Sequence, residues 1–224
     1  MNLPIVAAPT IAIAGSTERF PVRRIFCVGQ NYADHTREMG GDPDRQQPFF
    51  FSKPADAVVA SGSELPFPSH TTDLHHEVEL VIAIGGGGSN IGAGDALGLV
   101  YGHAVGLDLT RRDLQVEAKQ AGRPWDMAKG FDNSAPVGPL RLGAPPVSGA
   151  IALTVDGAVR QSGDLSMMIW NVAEVIAALS TYVVLAPGDL IFTGTPAGVG
   201  PIERGQTVRG TLVGVDPIEV RFAA

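Results

Sequence analysis

Short runs rich in valine, isoleucine and leucine recur along this chain, and glycine and proline punctuate the intervals between them. The 28 glycines and 17 prolines are spread through 224 residues rather than gathered in one low-complexity block. Both residues are poor in helix interiors and favoured in turns, so the pattern predicts many short strands joined by turns. Strands are expected over residues 24–28, 77–84, 100–107, 150–155, 189–192, 206–213 and 218–222. Asp156-Gly157 carries the signal of a tight hairpin that returns through Val159 and Arg160. Three helices are expected: over 32–39, over 111–121 behind a Thr110 cap, and over 171–181, where apolar residues recur at helical spacing. The stretch Gly85-Gly86-Gly87-Gly88-Ser89-Asn90 lacks the residues and spacing of a phosphate or dinucleotide loop and reads as a flexible hairpin tip. The fold class is therefore α+β and mainly β.

An apolar fraction of 45% allows a sizeable core, and no internal repeat or linker divides the chain, so one domain over residues 1–224 is expected. Residues 1–16 are apolar but lack a basic region and hold Pro4 and Pro9, which suits an entering strand better than a signal peptide. No apolar run reaches the roughly 18–20 residues of a membrane-spanning helix. The single cysteine, Cys27, lies in the apolar run Ile25-Phe26-Cys27-Val28 and reads as a small buried residue, and its solitude excludes an internal disulfide framework. A reducing, cytoplasmic setting follows as the expectation. A net charge of −7, without a basic stripe interleaved with aromatics, argues against nucleic acid and means that an anionic ligand needs a local cation.

The chemistry-bearing residues begin with His75-His76-Glu77-Val78-Glu79, two acids set in a strand-forming run. Strand residues i and i+2 project from one face, so Glu77 and Glu79 would present two carboxylates to a common point. Either they decorate a solvated edge, or a hard divalent cation removes their repulsion. Asp108 closes the strand over 100–107, where it either caps the next helix or supplies a third oxygen ligand. Three carboxylates leave about three of six octahedral positions open, the arrangement of a catalytic Mg²⁺ or Mn²⁺. His75 and His76, adjacent on a strand, point to opposite faces and read as supporting or structural groups rather than zinc ligands. On a helix, His35 and Glu38 would meet at i and i+3, as a surface pair or as a water-activating dyad. Gly29, Gly40 and Gly41 flank that segment as hinges of a possible lid. Lys53, Arg112, Gln115 and Lys129 are candidate polar contacts. The turn-rich segment Thr193-Gly194-Thr195-Pro196-Ala197-Gly198 is either a structural turn or an anion site.

Taken in order, Val28-Gly29-Gln30-Asn31-Tyr32 with His35 and Glu38, Phe51-Ser52-Lys53-Pro54, His76-Glu77-Val78-Glu79-Leu80, Gly106-Leu107-Asp108-Leu109-Thr110, Lys129-Gly130-Phe131-Asp132 and Thr193-Gly194-Thr195-Pro196 resemble the fumarylacetoacetate hydrolase superfamily, in particular its acylpyruvase and fumarylpyruvate hydrolase branch. The resemblance runs over residues 24–220, leaving 1–23 as a short N-terminal extension to a single catalytic domain. It implies a rolled mixed β-sheet with a few short helices and a homodimer. It also implies one Mg²⁺ or Mn²⁺ per subunit on Glu77, Glu79 and Asp108. His35 and Glu38 become the water-activating dyad, Lys129 the group that offsets negative charge, and Lys53, Arg112, Gln115 and Thr195 substrate contacts. Many members of the family carry Arg where Gln30 stands here. The implied reaction is hydrolysis of a carbon–carbon bond in an acylpyruvate, most directly fumarylpyruvate to fumarate and pyruvate in aromatic catabolism. Oxaloacetate decarboxylation or oxo-acid isomerisation is the first alternative, and non-catalytic binding of a metal and a small acid is the second.

Overall fold

A computed structural model of the chain describes residues 3, 7–40 and 46–224. Four sheets account for the strands. The largest runs in the order Phe49–Lys53, Arg24–Gly29, Asp189–Phe192, Val78–Ile84, Val100–Leu107, Ala135–Val137 and Val58–Ala60, with Arg141–Leu142 also on Val100–Leu107. It is mixed: Arg24–Gly29 and Asp189–Phe192 run parallel, whereas Val78–Ile84 is antiparallel to both its neighbours. A five-stranded sheet joins Ala158–Asp164, Ala150–Val155, Thr207–Leu212, Val215–Phe222 and Ser63–Leu65. A small sheet places Leu74–His76 between Thr110–Arg111 and Gly200–Ile202. The whole is a rolled, mainly β assembly with a few short helices.

The central strand Val78–Ile84 is buried at all seven positions. Side chains alternate between the faces of a strand, and both faces here are covered. Leu80 and Ile82 face a core with Ile151, Leu153, Val208, Ile218 and the helix Val172–Tyr182, while Val81 and Ala83 face a second core with Ile25, Cys27, Ala104, Leu140 and Phe192. Residues 10–22 belong to that second core through Ile11, Ile13, Phe20 and Val22, so the N-terminal segment is packed rather than appended. The entering strand expected within 1–16 is Thr10–Ala12, hairpinned with Arg19–Pro21; residues 1, 2 and 4–6 lie outside the described residues.

Three expectations are corrected. The strand foreseen over 77–84 is interrupted: Leu74–His76 belongs to the small sheet, Val78–Ile84 to the large one, and Glu77 occupies the break. Thr110 does not cap a helix. It lies in the two-residue strand Thr110–Arg111 with its hydroxyl on the Asp108 carbonyl, and the helix Arg112–Ala121 starts after Arg111 without a side-chain cap. The glycine run at 85–88 is no hairpin tip, because the helical turns Ala93–Ala96 and Leu97–Leu99 follow it before the next strand. Gly88 pairs with Leu185, and a side chain on Gly86 would strike Leu99. The helix expected over 171–181 is present as Val172–Tyr182 with a complete capping box, Asn171 accepting from the Glu174 backbone and Glu174 from that of Asn171.

An Asn171→Ala substitution removes that box on an exposed residue. It should cost about 1 kcal/mol, read as a lower urea midpoint at unchanged m-value; an unaltered midpoint would show that the helix is held by its buried face alone.

Candidate active site

The break at Glu77 decides the site. Where the chain passes from one sheet to another, Glu77 and Glu79 stand on the side of the strand that also carries Val81, and Asp108 arrives from the end of the adjacent strand, its backbone N–H on the Glu77 carbonyl at 2.9 Å. Oxygens from all three carboxylates lie within 4.8 Å of one another, and all three residues are buried. Two donors at about 2.1 Å from one ion are at most about 4.2 Å apart, so sub-ångström adjustments would let the three share a cation. Lys129, from the short helix Asp126–Lys129, sets its ammonium 2.8 Å from Glu77 Oε2, 2.8 Å from Asp108 Oδ2 and 2.6 Å from Thr110 Oγ1. Arg112 donates to Glu77 Oε1 and to Gln115 Oε1.

The donor set fits a hard divalent ion on two observations. Lys53 Nζ stands 2.8 Å from Asp108 Oδ1, but at angles outside hydrogen-bond geometry, so that buried oxygen has no hydrogen bond. Glu79 accepts one N–H, from Gly194 at 2.7 Å, yet burial and the neighbouring Asp108 and Glu77 carboxylates hold its carboxyl well above the usual range. Glu77 is held low despite burial, because the Lys129 and Arg112 cations lie against it. Negative charge is thus compensated on the Glu77 side and uncompensated toward Glu79. Oxygen-only donors suit Mg²⁺ or Mn²⁺ rather than a softer metal.

Across the same cleft is His35, buried in the helix Ala33–Glu38, with Nδ1 3.2 Å from Glu38 Oε2. A carboxylate only accepts, so Nδ1 carries the proton and Nε2 is left as the basic nitrogen. Glu38 is itself fixed by the Gly198 N–H, 3.2 Å from each oxygen. Gly198 and Gly194 have φ of +95° and +97°, and a Cβ would meet the Arg160 carbonyl oxygen at 2.3 Å in the first case and Asn31 Cβ at 2.7 Å in the second. Only glycine lets this loop aim one N–H at Glu38 and another at Glu79. The cleft is lined by Gln30, His35, Phe49, Phe51, Glu77, Glu79, Asp108, Arg112, Gln115, Lys119, Trp125, Lys129 and Thr195, among others.

Eight of the ten residues singled out in the sequence line the cleft, and Glu38 and Lys53 each touch one that does, His35 and Asp108 respectively. Lys53 does not itself line the cleft where a substrate contact was expected. Its ammonium is buried beneath Asp108 and donates to the Leu109 and Lys129 carbonyls, so it acts on the carboxylate from behind. His75 and His76 do diverge. His76 Nδ1 meets Gln161 Oε1 at 3.0 Å, whereas His75 lies between Asp73 and Arg112. Gly41, one of the expected hinges, lies outside the described residues.

Two organising residues escaped sequence reading. Gln161, wholly buried, accepts from the Val78 N–H and donates to Thr195 Oγ1 and the Pro196 carbonyl, tying the glycine loop to the metal-side strand. Asn31, quoted only as part of a motif, bonds the Trp170 and Thr193 carbonyls and accepts the Trp170 N–H. No local signal marks Gln161, a single amide in an otherwise exposed hairpin strand; Asn31 could have been sought in the Gly-x-Asn turn before the helix.

Because burial and the neighbouring Asp108 and Glu77 carboxylates raise the proton affinity of Glu79, a cation that binds there competes with that proton. Mn²⁺ binding should therefore release protons and tighten as pH rises toward the raised pKa of Glu79. Calorimetric titrations in buffers of different ionisation enthalpy read this directly, and buffer-independent heats would contradict it. At about a hundredfold its Kd, Mn²⁺ should also add about 2.7 kcal/mol of stability, seen as a higher Tm that Glu79→Gln largely abolishes.

Residues 24–223 match the family described as fumarylacetoacetate (FAA) hydrolase C-terminal. A fumarylpyruvate hydrolase from Ralstonia sp is 43% identical over 182 residues, covering 80% of this chain and 94% of that protein. A mitochondrial oxaloacetate tautomerase of Mus musculus is 40% identical over 203 residues, covering 89% and 90%. Among solved structures, fumarylpyruvate hydrolase from Pseudomonas aeruginosa in complex with Mn²⁺ and pyruvate superposes with a TM-score of 0.96 at 51% identity, covering 100% of this chain and 99% of that one. With its matched span, its rolled sheet and its buried carboxylate triad, this chain belongs to the fumarylacetoacetate hydrolase family.

Proposed function

We propose that this chain is a divalent-metal-dependent hydrolase that cleaves the carbon–carbon bond of an acylpyruvate, with fumarylpyruvate as substrate and fumarate and pyruvate as products. One observation carries the reading: a triad of buried carboxylates close enough to share an ion faces, across one cleft, an imidazole whose Nδ1 is occupied by a carboxylate. The likeness to a fumarylpyruvate hydrolase whose structure holds Mn²⁺ and pyruvate supports it.

In this reading Glu77, Glu79 and Asp108 would hold the ion, which would supply Lewis acidity toward the 2-oxo acid. Arg112, Gln115 and Thr195, all on the cleft wall, orient the keto-acid end. His35 takes a proton from water through Nε2 while Glu38 holds the ring by Nδ1. The resulting hydroxide adds to the acyl carbonyl, and the tetrahedral oxyanion collapses with cleavage of the carbon–carbon bond. The bonding pair leaves with the pyruvyl fragment as an enolate, which is then protonated on carbon; the acyl fragment departs as the second acid. Lys129 keeps a positive charge within a hydrogen bond of Glu77 and Asp108 and so offsets the negative charge that accumulates there.

A second reading has support of its own in the oxaloacetate tautomerase relative, since tautomerisation and decarboxylation of oxaloacetate also pass through an enolate but need no attacking water. The His35 and Glu38 pair supplies the base that an attacking water needs and so favours hydrolysis, although a tautomerase could use the same base to move a proton.

His35→Ala and Glu38→Ala should each lower acylpyruvate hydrolysis by about 10²- to 10⁴-fold while leaving Mn²⁺ affinity near that of the parent, whereas Glu77→Ala should lose both. Assays of fumarylpyruvate, acetylpyruvate and oxaloacetate with the metal removed and restored separate the readings. Normal turnover in the dyad variants would eliminate water activation by His35, and turnover confined to oxaloacetate would establish the second reading in its place.

A further inference from the structure

The helix Arg112–Ala121 turns one stripe toward the cleft. Arg112, Gln115 and Lys119 follow at i, i+3 and i+7, the spacing of a single helical face, and all three line the cavity. The first two are buried and committed, Arg112 to Glu77 and Gln115 to Arg112. Lys119 is exposed and, among the described residues, its ammonium has neither an ion pair nor a hydrogen bond. At a rise of about 1.5 Å per residue it lies about 10 Å farther along the axis than Arg112.

Part of the cleft wall is aromatic. Phe49, Phe51 and Trp125 line it, with Trp125 edge-on to Phe49 at 5.7 Å and tilted against Phe51 at 5.8 Å. Phe49 lies so close over the Gly29 backbone that a Cβ there would fall 2.0 Å from its ring. Such a surface accepts a flat, conjugated acyl chain but contributes no charge. Gln30, also at the cleft, is neutral. Arg123, in the recess beyond Trp125, lies 3.5 Å from Glu117. On a chain of net charge −7, Lys119 is thus, among the described residues that line the cleft, an uncommitted cation.

We propose that Lys119 is a specificity-determining residue that binds a carboxylate at the far end of the acyl group, so that the enzyme selects acylpyruvates terminating in a negative charge over those ending in an alkyl group. This rests on the acylpyruvate reading above. An exposed ammonium contributes through a charged hydrogen bond that salt weakens, so the effect belongs in KM and diminishes with ionic strength.

The test is steady-state kinetics of the Mn²⁺-loaded enzyme on fumarylpyruvate and acetylpyruvate, for the parent, Lys119→Gln, Lys119→Glu and Lys119→Arg. The parent should favour fumarylpyruvate. In Lys119→Gln the ratio of the two kcat/KM values should fall about tenfold, through KM for fumarylpyruvate, with a larger fall in Lys119→Glu and recovery in Lys119→Arg. Added salt should shrink the ratio in the parent and leave it flat in Lys119→Gln. An unaltered ratio in Lys119→Gln, or an equal loss on both substrates, overturns the assignment of Lys119 while leaving acylpyruvate hydrolysis standing. A parent enzyme that cleaves neither substrate overturns both.

Discussion

Three carboxylates packed into the interior of a β-fold must be neutralised, and the rest of this structure is arranged around that requirement. Two unit charges about 4 Å apart interact by about 4 kcal/mol at the effective dielectric of a protein site, so Glu77, Glu79 and Asp108 together would oppose folding if left alone. Lys129 spans two of them, Arg112 covers Glu77 and Lys53 backs Asp108. Removing one member of a buried pair typically costs about 3–5 kcal/mol, which makes these cations structural as well as chemical. Among the described residues none of these cations pairs with Glu79; burial and the Asp108 and Glu77 carboxylates hold its carboxyl well above the usual range. A cation bound there competes with a proton, so metal affinity is coupled to protonation from the outset.

The same constraint explains the handling of the backbone around the cleft. Glu77 sits where the chain changes sheets, which frees it from a strand ladder and lets it turn toward Lys129 and Arg112. The loop opposite uses two left-handed glycines to deliver N–H groups to Glu79 and to Glu38, joining the metal side of the cleft to the imidazole side through one short segment. Gln161 and Asn31 fasten that loop from either flank, the former to Val78, His76 and Thr195, the latter to Trp170 and Thr193. Both are nearly inaccessible to solvent and well satisfied by hydrogen bonds, so the loop is held by direction-specific contacts and not by apolar packing alone. Positioning of His35 relative to the carboxylates is thereby set by residues that touch neither a metal nor a substrate.

The cleft combines buried charge at the carboxylates with aromatic surface from Phe49, Phe51 and Trp125 and an exposed lysine. The helix Arg112–Ala121 supplies Arg112, Gln115 and Lys119 to it from one face.

Much of this was written locally. Central strands such as Val100–Leu107 and Ala150–Val155 follow from β-branched runs bounded by turn residues, and the helix Val172–Tyr182 from its cap and its apolar spacing. His35 meets Glu38 because helix geometry is periodic; strand periodicity pointed to the convergence of Glu77 and Glu79, although Glu77 reaches its place from a break between two strands. Less legible were the short strands such as Phe49–Lys53 and Ala135–Val137, whose pairing partners are distant in sequence. What only tertiary structure decided is which groups are buried together: Asp108 beside Glu79, Lys53 behind Asp108 rather than in the cleft, Thr110 under Lys129 rather than on a helix end, and Gln161 at the junction of two sheets. The reason is physical. Periodicity fixes the direction of a side chain relative to its own backbone, whereas burial, charge pairing and the resulting pKa shifts depend on what the remainder of the chain brings against it.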